Sequence, residues 1–352
     1  MTDPDTNPNQ HPTPTRNAAS QRGVAVVTGG SAGLGRAIVR ELAARGWDVA
    51  VLARGLDGLA GAAHDVELAG RRALAVETDV ADSDQVEAAA ERVERELGEI
   101  TLWVNNAMTG VFGEFLDAEP EDYERVTSVV YLGQVNGTRA ALSRMKPRDR
   151  GHIIQIGSAL AHRGIPLQSA YCGAKHAITG FTESVLVELL HDGSRVRISQ
   201  VDMPALNTMQ FEWVKSSLPK HPQPVPPVYQ PEAGARAVAD VADRPRRRTW
   251  VGGSTVATIL GNRVSPWLLD MYLARTGVKG QQAPDKGDAP SLPSNLYEPV
   301  PGDHGARGVF SDRSVGDSPQ LWALRNRGLA IGGALAVGVA AVAGIAGALR
   351  RR

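Results

Sequence analysis

The stretch VAVVTGGSAGLGRAIVRELAARG (24–46) runs from a short Val-rich strand through a glycine-rich turn into a helix. The same change of period then repeats along the chain. DVAVLA (48–53) precedes an amphipathic helix from Leu56 to about Ala69, and RALAVETD precedes SDQVEAAAERVEREL. ITLWVNNA is followed by a helix over about 121–145, HIIQIG by one over about 168–190, and VRISQV by PEAGARAVADVA and the strand TWVGG. Strands alternating with helices of this length predict an α/β fold, a doubly wound parallel sheet covered on both faces.

Outside that repeat the composition changes. Residues 1–21 are polar and Pro-rich, with too little apolar side chain to offset ordering entropy. They also lack the apolar run of a signal peptide. The domain is expected over 22–280. Within it 204–231 holds seven prolines and predicts an irregular segment, either a cap over a site or a surface excursion. Residues 281–320 are rich in Pro, Gly, Asp and Ser and predict a disordered linker. The uncharged run LAIGGALAVGVAAVAGIAGAL (329–349), with Arg325 and Arg327 before it and Arg350 to Arg352 after, would make a helix of about 31 Å. It predicts a membrane anchor within 321–352 that leaves the catalytic domain in the cytoplasm; a buried core helix is the alternative. Lys+Arg and Asp+Glu both number 38, so no basic field points to nucleic acid. Cys172 is the only cysteine, which excludes an internal disulfide.

In TGGSAGLG (28–35), Gly29, Gly33 and Gly35 let the backbone turn sharply and approach a pyrophosphate, with the helix N-terminus offering free N–H groups. Strand two ends at Ala53-Arg54, where an acidic residue would favour NAD. Arg54 instead suits a 2′-phosphate and favours NADP(H), although Asp57 nearby could bind a ribose and restore NAD(H). Asp79 and Asn105 to Ala107 end strands three and four on the same carboxyl edge.

The chemistry concentrates in SALAHRGIPLQSAYCGAKHA (158–177). Tyr171 and Lys175 are four apart, one turn along a helix. A neighbouring ammonium lowers a phenol's pKa and equips Tyr171 as an acid/base for a carbonyl or alcohol. Ser158 follows a strand on the carboxyl edge and can polarise the same oxygen. His162, His176 and His191 do not share a metal-ligand spacing and read as ordinary histidines. RPRRR (244–248) reads as a solvated turn, or as a contact for anionic headgroups.

Together, TGGSAGLG, Asp79-Val80, Asn105-Asn106-Ala107, Ser158 and Tyr171-x-x-x-Lys175 resemble the short-chain dehydrogenase/reductase family over about residues 22–255. The resemblance more loosely suggests a membrane-associated branch. It implies catalysis by Ser158, Tyr171 and Lys175, with Lys175 also holding the nicotinamide ribose. It implies cofactor contacts from Thr28, Gly29, Ser31, Gly33, Leu34 and Gly35 in the turn. Others would come from Arg54, Asp79, Val80, Asn106 and Ala107 at the strand ends, and from Pro204 and Thr208 after strand six. It also implies a small-molecule carbonyl or alcohol substrate and a homodimer or homotetramer through the helices at 121–145 and 168–190.

Three departures stand out. Val130 occupies the place of the family's helical asparagine, which orders a relay water; Asn136 lies nearly two turns on. Met108 follows Asn-Asn-Ala where glycine is usual, and could line the substrate pocket with Leu160, Ile165, Leu167, Met203 and Leu206. Met203-Pro204-Ala205 replaces a Pro-Gly turn, with Thr208 one residue early. Val130 also keeps open a rival reading, a nucleotide-binding scaffold that has lost turnover.

Overall fold

The structure is a computed structural model that describes residues 22–288, 292–316 and 320. Seven strands form one parallel sheet: β1 (Val24–Thr28), β2 (Asp48–Ala53), β3 (Ala73–Glu77), β4 (Ile100–Asn105), β5 (His152–Ser158), β6 (Arg197–Met203) and β7 (Arg248–Trp250), in the order β7-β6-β5-β4-β1-β2-β3. Every residue of β1 and β2 is buried, as expected of strands covered on both faces. The order reverses between β1 and β4, so a crevice opens above their carboxyl ends, beside the glycine-rich turn.

One face is covered by α1 (Gly33–Ala44), α2 (Leu56–Leu68) and α7 (Pro231–Asp243), the other by α3 (Ser83–Glu96), α5 (Gly133–Met145) and α6 (Ser169–His191). Local chemistry sets the helix starts. Asp82 caps α3 by accepting from the backbone N–H groups of Asp84 and Gln85 at 2.9 and 3.1 Å. Pro120 opens α4 (Pro120–Thr127) beside a Glu119/Asp122 capping box. A π-turn over Ser128–Leu132 joins α4 to α5, so the helix predicted over 121–145 is continuous but locally overwide at Val130.

After β7 come α8 (Gly253–Val264) and α9 (Pro266–Gly280). Residues 204–231 are irregular as predicted, with a helical turn at Gln210–Trp213 and three short strands. The linker expected over 281–320 is not what the structure places there. Its described part is a strap whose Ala283, Leu296, Ala306 and Phe310 are buried. Gln282–Ala283 pairs with His221–Pro222, and Ser314–Val315 with Val228–Tyr229. A few well-spaced apolar side chains and backbone pairing hold a segment that its average composition marks as loose. The tail 1–21 and the apolar run 329–349 lie outside the described residues. Among the described residues no helix is long and apolar enough to cross a membrane.

Candidate active site

The glycine-rich turn is tied down before it can hold anything. Gly29 and Gly33 adopt φ of 63° and 57°. A Cβ on Gly35 would lie 2.0 Å from the Gly29 carbonyl oxygen, so only glycine lets the turn fold onto itself. Asn106 and Ala107 donate their backbone N–H groups to Thr28 Oγ1 at 2.9 and 3.1 Å. Asn106 Nδ2 donates to the carbonyls of Thr28 and Gly29 at 3.0 and 3.2 Å. Thr28 and the Asn106 amide therefore clamp the turn to β4. Thr28 is buried beneath the crevice, whereas Gly29, Ser31, Gly33, Leu34, Gly35, Asn106 and Ala107 line it.

The strap runs along this crevice. Gly305 offers its carbonyl to the Gly33 N–H at 2.9 Å, and Asp303 accepts from the buried Arg36 at 2.8 Å. Arg54 donates to the carbonyls of Asn295 and Tyr297, both at 2.5 Å, and burial lowers its pKa. Asp79 accepts from Arg125 at 2.6 Å, and Arg125 also donates to the Leu296 carbonyl at 2.9 Å. The two residues singled out at the ends of strands two and three thus sit at the crevice, where strap contacts already engage them. Sequence reasoning missed the strap entirely; only its isolated Leu296 and Phe310 carried any signal.

Ser158, Tyr171 and Lys175 converge on the floor of the same cavity, about 910 Å³ in volume. Ser158 hydrogen-bonds Tyr171 and accepts from the Leu160 N–H at 3.1 Å. Burial pushes the Tyr171 phenol above its ordinary value, against the smaller lowering effect of the Ser158 bond. The lowered phenol expected from the four-residue spacing is not found. Lys175 Nζ lies over the ring face, 5.5 Å from its centroid, and donates to the Ile156 carbonyl at 2.7 Å. Lys175 is 1% exposed, and burial lowers its pKa to about 8 although Asp202 works to raise it. Val80, Met108, Ile165, Met203, Pro204, Leu206 and Thr208 complete much of the wall.

Val130 is fully buried in an apolar cluster with Val126, Ala174, Ile178 and the strap's Leu296. Asn136 is engaged elsewhere, donating to the Val80 carbonyl at 2.9 Å. Gln134, one turn beyond Val130, reaches the site instead. Its Nε2 donates to the Ile156 carbonyl at 3.1 Å, and its buried Oε1 has no partner among the described residues. Of the histidines, His162 bonds the buried Asp202 at 3.0 Å and His176 the Cys172 carbonyl at 2.8 Å.

A family model described as short chain dehydrogenase matches residues 23–216. The chain belongs to the short-chain dehydrogenase family. It is an oxidoreductase of that family, similar to the uncharacterized oxidoreductase YxnA of Bacillus subtilis, with 31% identity over 283 residues, 80% of this chain and 79% of that protein. The 3-ketodihydrosphingosine reductase of Mus musculus is 34% identical over 169 residues, 47% of this chain and 51% of the relative. Among solved short-chain dehydrogenases, one from Burkholderia phymatum in complex with NAD matches the fold with a TM-score of 0.64 at 22% identity, over 71% of this chain and 96% of that one. A metagenomic short-chain oxidoreductase in complex with NADP gives 0.56 at 28% identity, over 66% and 98%.

Proposed function

We propose that this chain moves hydride between NADP(H) and a carbonyl or secondary alcohol of a hydrophobic molecule, and that it is tethered to a membrane through 329–349 with the catalytic domain in the cytoplasm. The observation that carries the reading is the convergence of Ser158, Tyr171 and Lys175 beneath a glycine-rich turn in one largely apolar cavity. The residues present fit a dinucleotide. The turn is closed by glycines that no Cβ could replace, and the N-terminus of α1 faces the crevice. Gly29, Ser31, Gly33, Leu34 and Gly35 would hold its pyrophosphate, Arg54 its 2′-phosphate, and Asp79, Val80, Ala107, Pro204 and Thr208 its remaining parts.

When bound, the nicotinamide supplies or accepts the hydride at the carbonyl carbon. The chain's own residues handle the oxygen. Ser158 Oγ donates a hydrogen bond to it, and Tyr171 donates its phenolic proton as negative charge develops there. A phenol whose pKa is raised by burial is protonated at neutral pH, as an ordinary phenol is, and so is ready to donate in the reductive half of the reaction. Lys175, still charged below about pH 8, then restores the Tyr171 proton. Gln134 Oε1, buried and unpartnered near Lys175, can hold the water that continues this path to solvent, in place of a group at Val130. Leu132, Val187 and Leu190 leave exposed apolar side chains on the helical turns at 128–132 and on α6, which supports pairing of copies across this face; a Leu190→Asp chain that sediments like wild type would sink that part.

The test is NADPH oxidation with carbonyl compounds of graded chain length. Turnover by wild type that drops at least about 100-fold in Tyr171→Phe supports the reading. The apolar burial of Val130 favours a second one, a nucleotide-binding scaffold. That reading stands if NADPH binds and no carbonyl or alcohol is turned over above the Tyr171→Phe level.

A further inference from the structure

The α8–α9 hairpin is built against the usual logic of a domain surface. Helix α9, PWLLDMYLARTGVKG, buries only Gly277. Trp267, Leu268, Met271 and Tyr272 on α9 and Leu260 and Val264 on α8 are all exposed, Val264 at 85%. Their spacings, 260/264, 267/271 and 268/272, stack each pair one turn apart on the outer side of its helix. A contiguous apolar patch of this kind marks an interaction surface.

We infer that this hairpin face docks onto a lipid bilayer and passes membrane-dissolved substrate to the cavity. Three observations select lipid as the occupant. The first is where the described chain ends. Gln320 Nε2 donates to the Trp250 carbonyl at 2.8 Å, and its Oε1 accepts from the Gly252 N–H at 3.0 Å. Gly252 is the residue before α8, so the segment that carries 329–349 departs from the foot of the hairpin. An apolar run inserted there brings the hairpin to the bilayer surface.

The second is composition. Trp267 and Tyr272 are the aromatic types that settle at headgroup depth, and the exposed Arg263, Arg275 and Lys279 flank the patch with positive charge. The one acidic residue of α9, Asp270, is paired with Arg163. The third is the other side of the same helix. Leu269, Leu273 and Thr276 line the cavity, and Tyr272, 60% exposed, lines it too. Tyr272 therefore stands at a rim shared by the cavity and the apolar face, and an apolar molecule can cross that rim without entering bulk water. The basic run 244–248 leads into β7 at its amino end, whereas α8 follows the carboxyl end of that strand, and the run takes no part in this surface.

The substrate arm of this proposal rests on the oxidoreductase reading, and the docking arm on the tether through 329–349 proposed above. The test uses the full-length chain with Leu268→Cys in a Cys172→Ser background, labelled with an environment-sensitive fluorophore and mixed with phosphatidylcholine vesicles. Leu68, 72% exposed at the end of α2, gives the control through Leu68→Cys. Docking predicts a several-fold rise in emission at position 268, quenched by brominated lipid, with no change at position 68. A probe at 268 that stays aqueous on vesicle-bound protein overturns it. Shielding at 268 without vesicles also overturns it: if it grows with protein concentration the occupant is a second copy, and if not, this chain's own 329–349 segment. For the substrate arm, Val264→Ser/Leu268→Ser should lower kcat/KM at least about 5-fold for a long-chain ketone in vesicles and leave a short water-soluble ketone unaffected. Equal loss on both overturns the delivery role. Failure of the oxidoreductase reading looks different: neither ketone is turned over by wild type, while the probe result still decides docking.

Discussion

Lys175 and Gln134 meet at one acceptor. The ammonium donates to the Ile156 carbonyl at 2.7 Å and the amide at 3.1 Å, which holds a cationic group and a neutral amide side by side in a buried site. On the proposed reading, that pairing supplies the proton path that valine at position 130 does not.

Gln134→Leu is expected to lower kcat for ketone reduction about 10-fold and leave KM for NADPH within a factor of two, since general acid–base assistance is worth about 100-fold or more when complete. Steady-state kinetics decide it. Unchanged kcat would remove Gln134 from the proton path.

Val130→Asn is expected to destabilise the fold by about 1–3 kcal/mol without raising kcat. The new amide would sit among Val126, Ile178 and Leu296 with no partner. Denaturant midpoints and turnover measured together check this. A faster, equally stable variant would contradict it.

The buried ammonium sets a pH dependence. Lys175 is held near about 8 by burial, so it is charged below that pH and neutral above it. Carbonyl reduction should therefore be level below about pH 8 and decline up to tenfold per unit above it. Lys175→Met should abolish that limb. A flat profile from pH 7 to 10 would refute the role.

Arg54→Ala is expected to raise KM for NADPH at least 10-fold, to raise KM for NADH much less, and to hasten protease cleavage within 292–316. The guanidinium anchors the Asn295 and Tyr297 carbonyls and, on the proposed reading, also holds the 2′-phosphate, so both readouts should move. Equal losses with NADPH and NADH would leave Arg54 as a strap anchor alone.

His152 predicts acid sensitivity. It is buried at the start of β5, where Nε2 bonds Ser199 at 2.8 Å, Nδ1 has no partner among the described residues, and burial depresses its pKa to about 4. Between the unfolded value of about 6.5 and 4 the unfolded chain binds the proton and the native one does not. Its contribution is fully present above about pH 6.5 and is lost as pH falls towards 4, by up to roughly 3 kcal/mol. His152→Gln should flatten that part of the stability curve.

The alternating fold was legible because its signal is periodic: VAVVT and DVAVLA become fully buried strands with the predicted bounds. Ser158, Tyr171 and Lys175 were legible because spacing fixes which side chains share a helix turn or strand end. The strap was not. Its Leu296 finds its partners at Val126 and Val130, far back in the chain, and no local window contains such a pair. Gln134 escaped notice for a related reason, since its relevance lies in the carbonyl of Ile156, on a different element. The direction of the Tyr171 shift also depends on enclosure, which residue spacing does not encode.

The bond from Gly33 to the Gly305 carbonyl spans 305 − 33 = 272 positions of chain. During synthesis the glycine-rich turn emerges long before its partner at Gly305. Closing so long a loop is entropically late and slow. The nascent domain therefore passes through an interval in which the sheet can assemble while the nucleotide crevice lacks its cover, and a dinucleotide present at that moment can enter before the strap is laid across it.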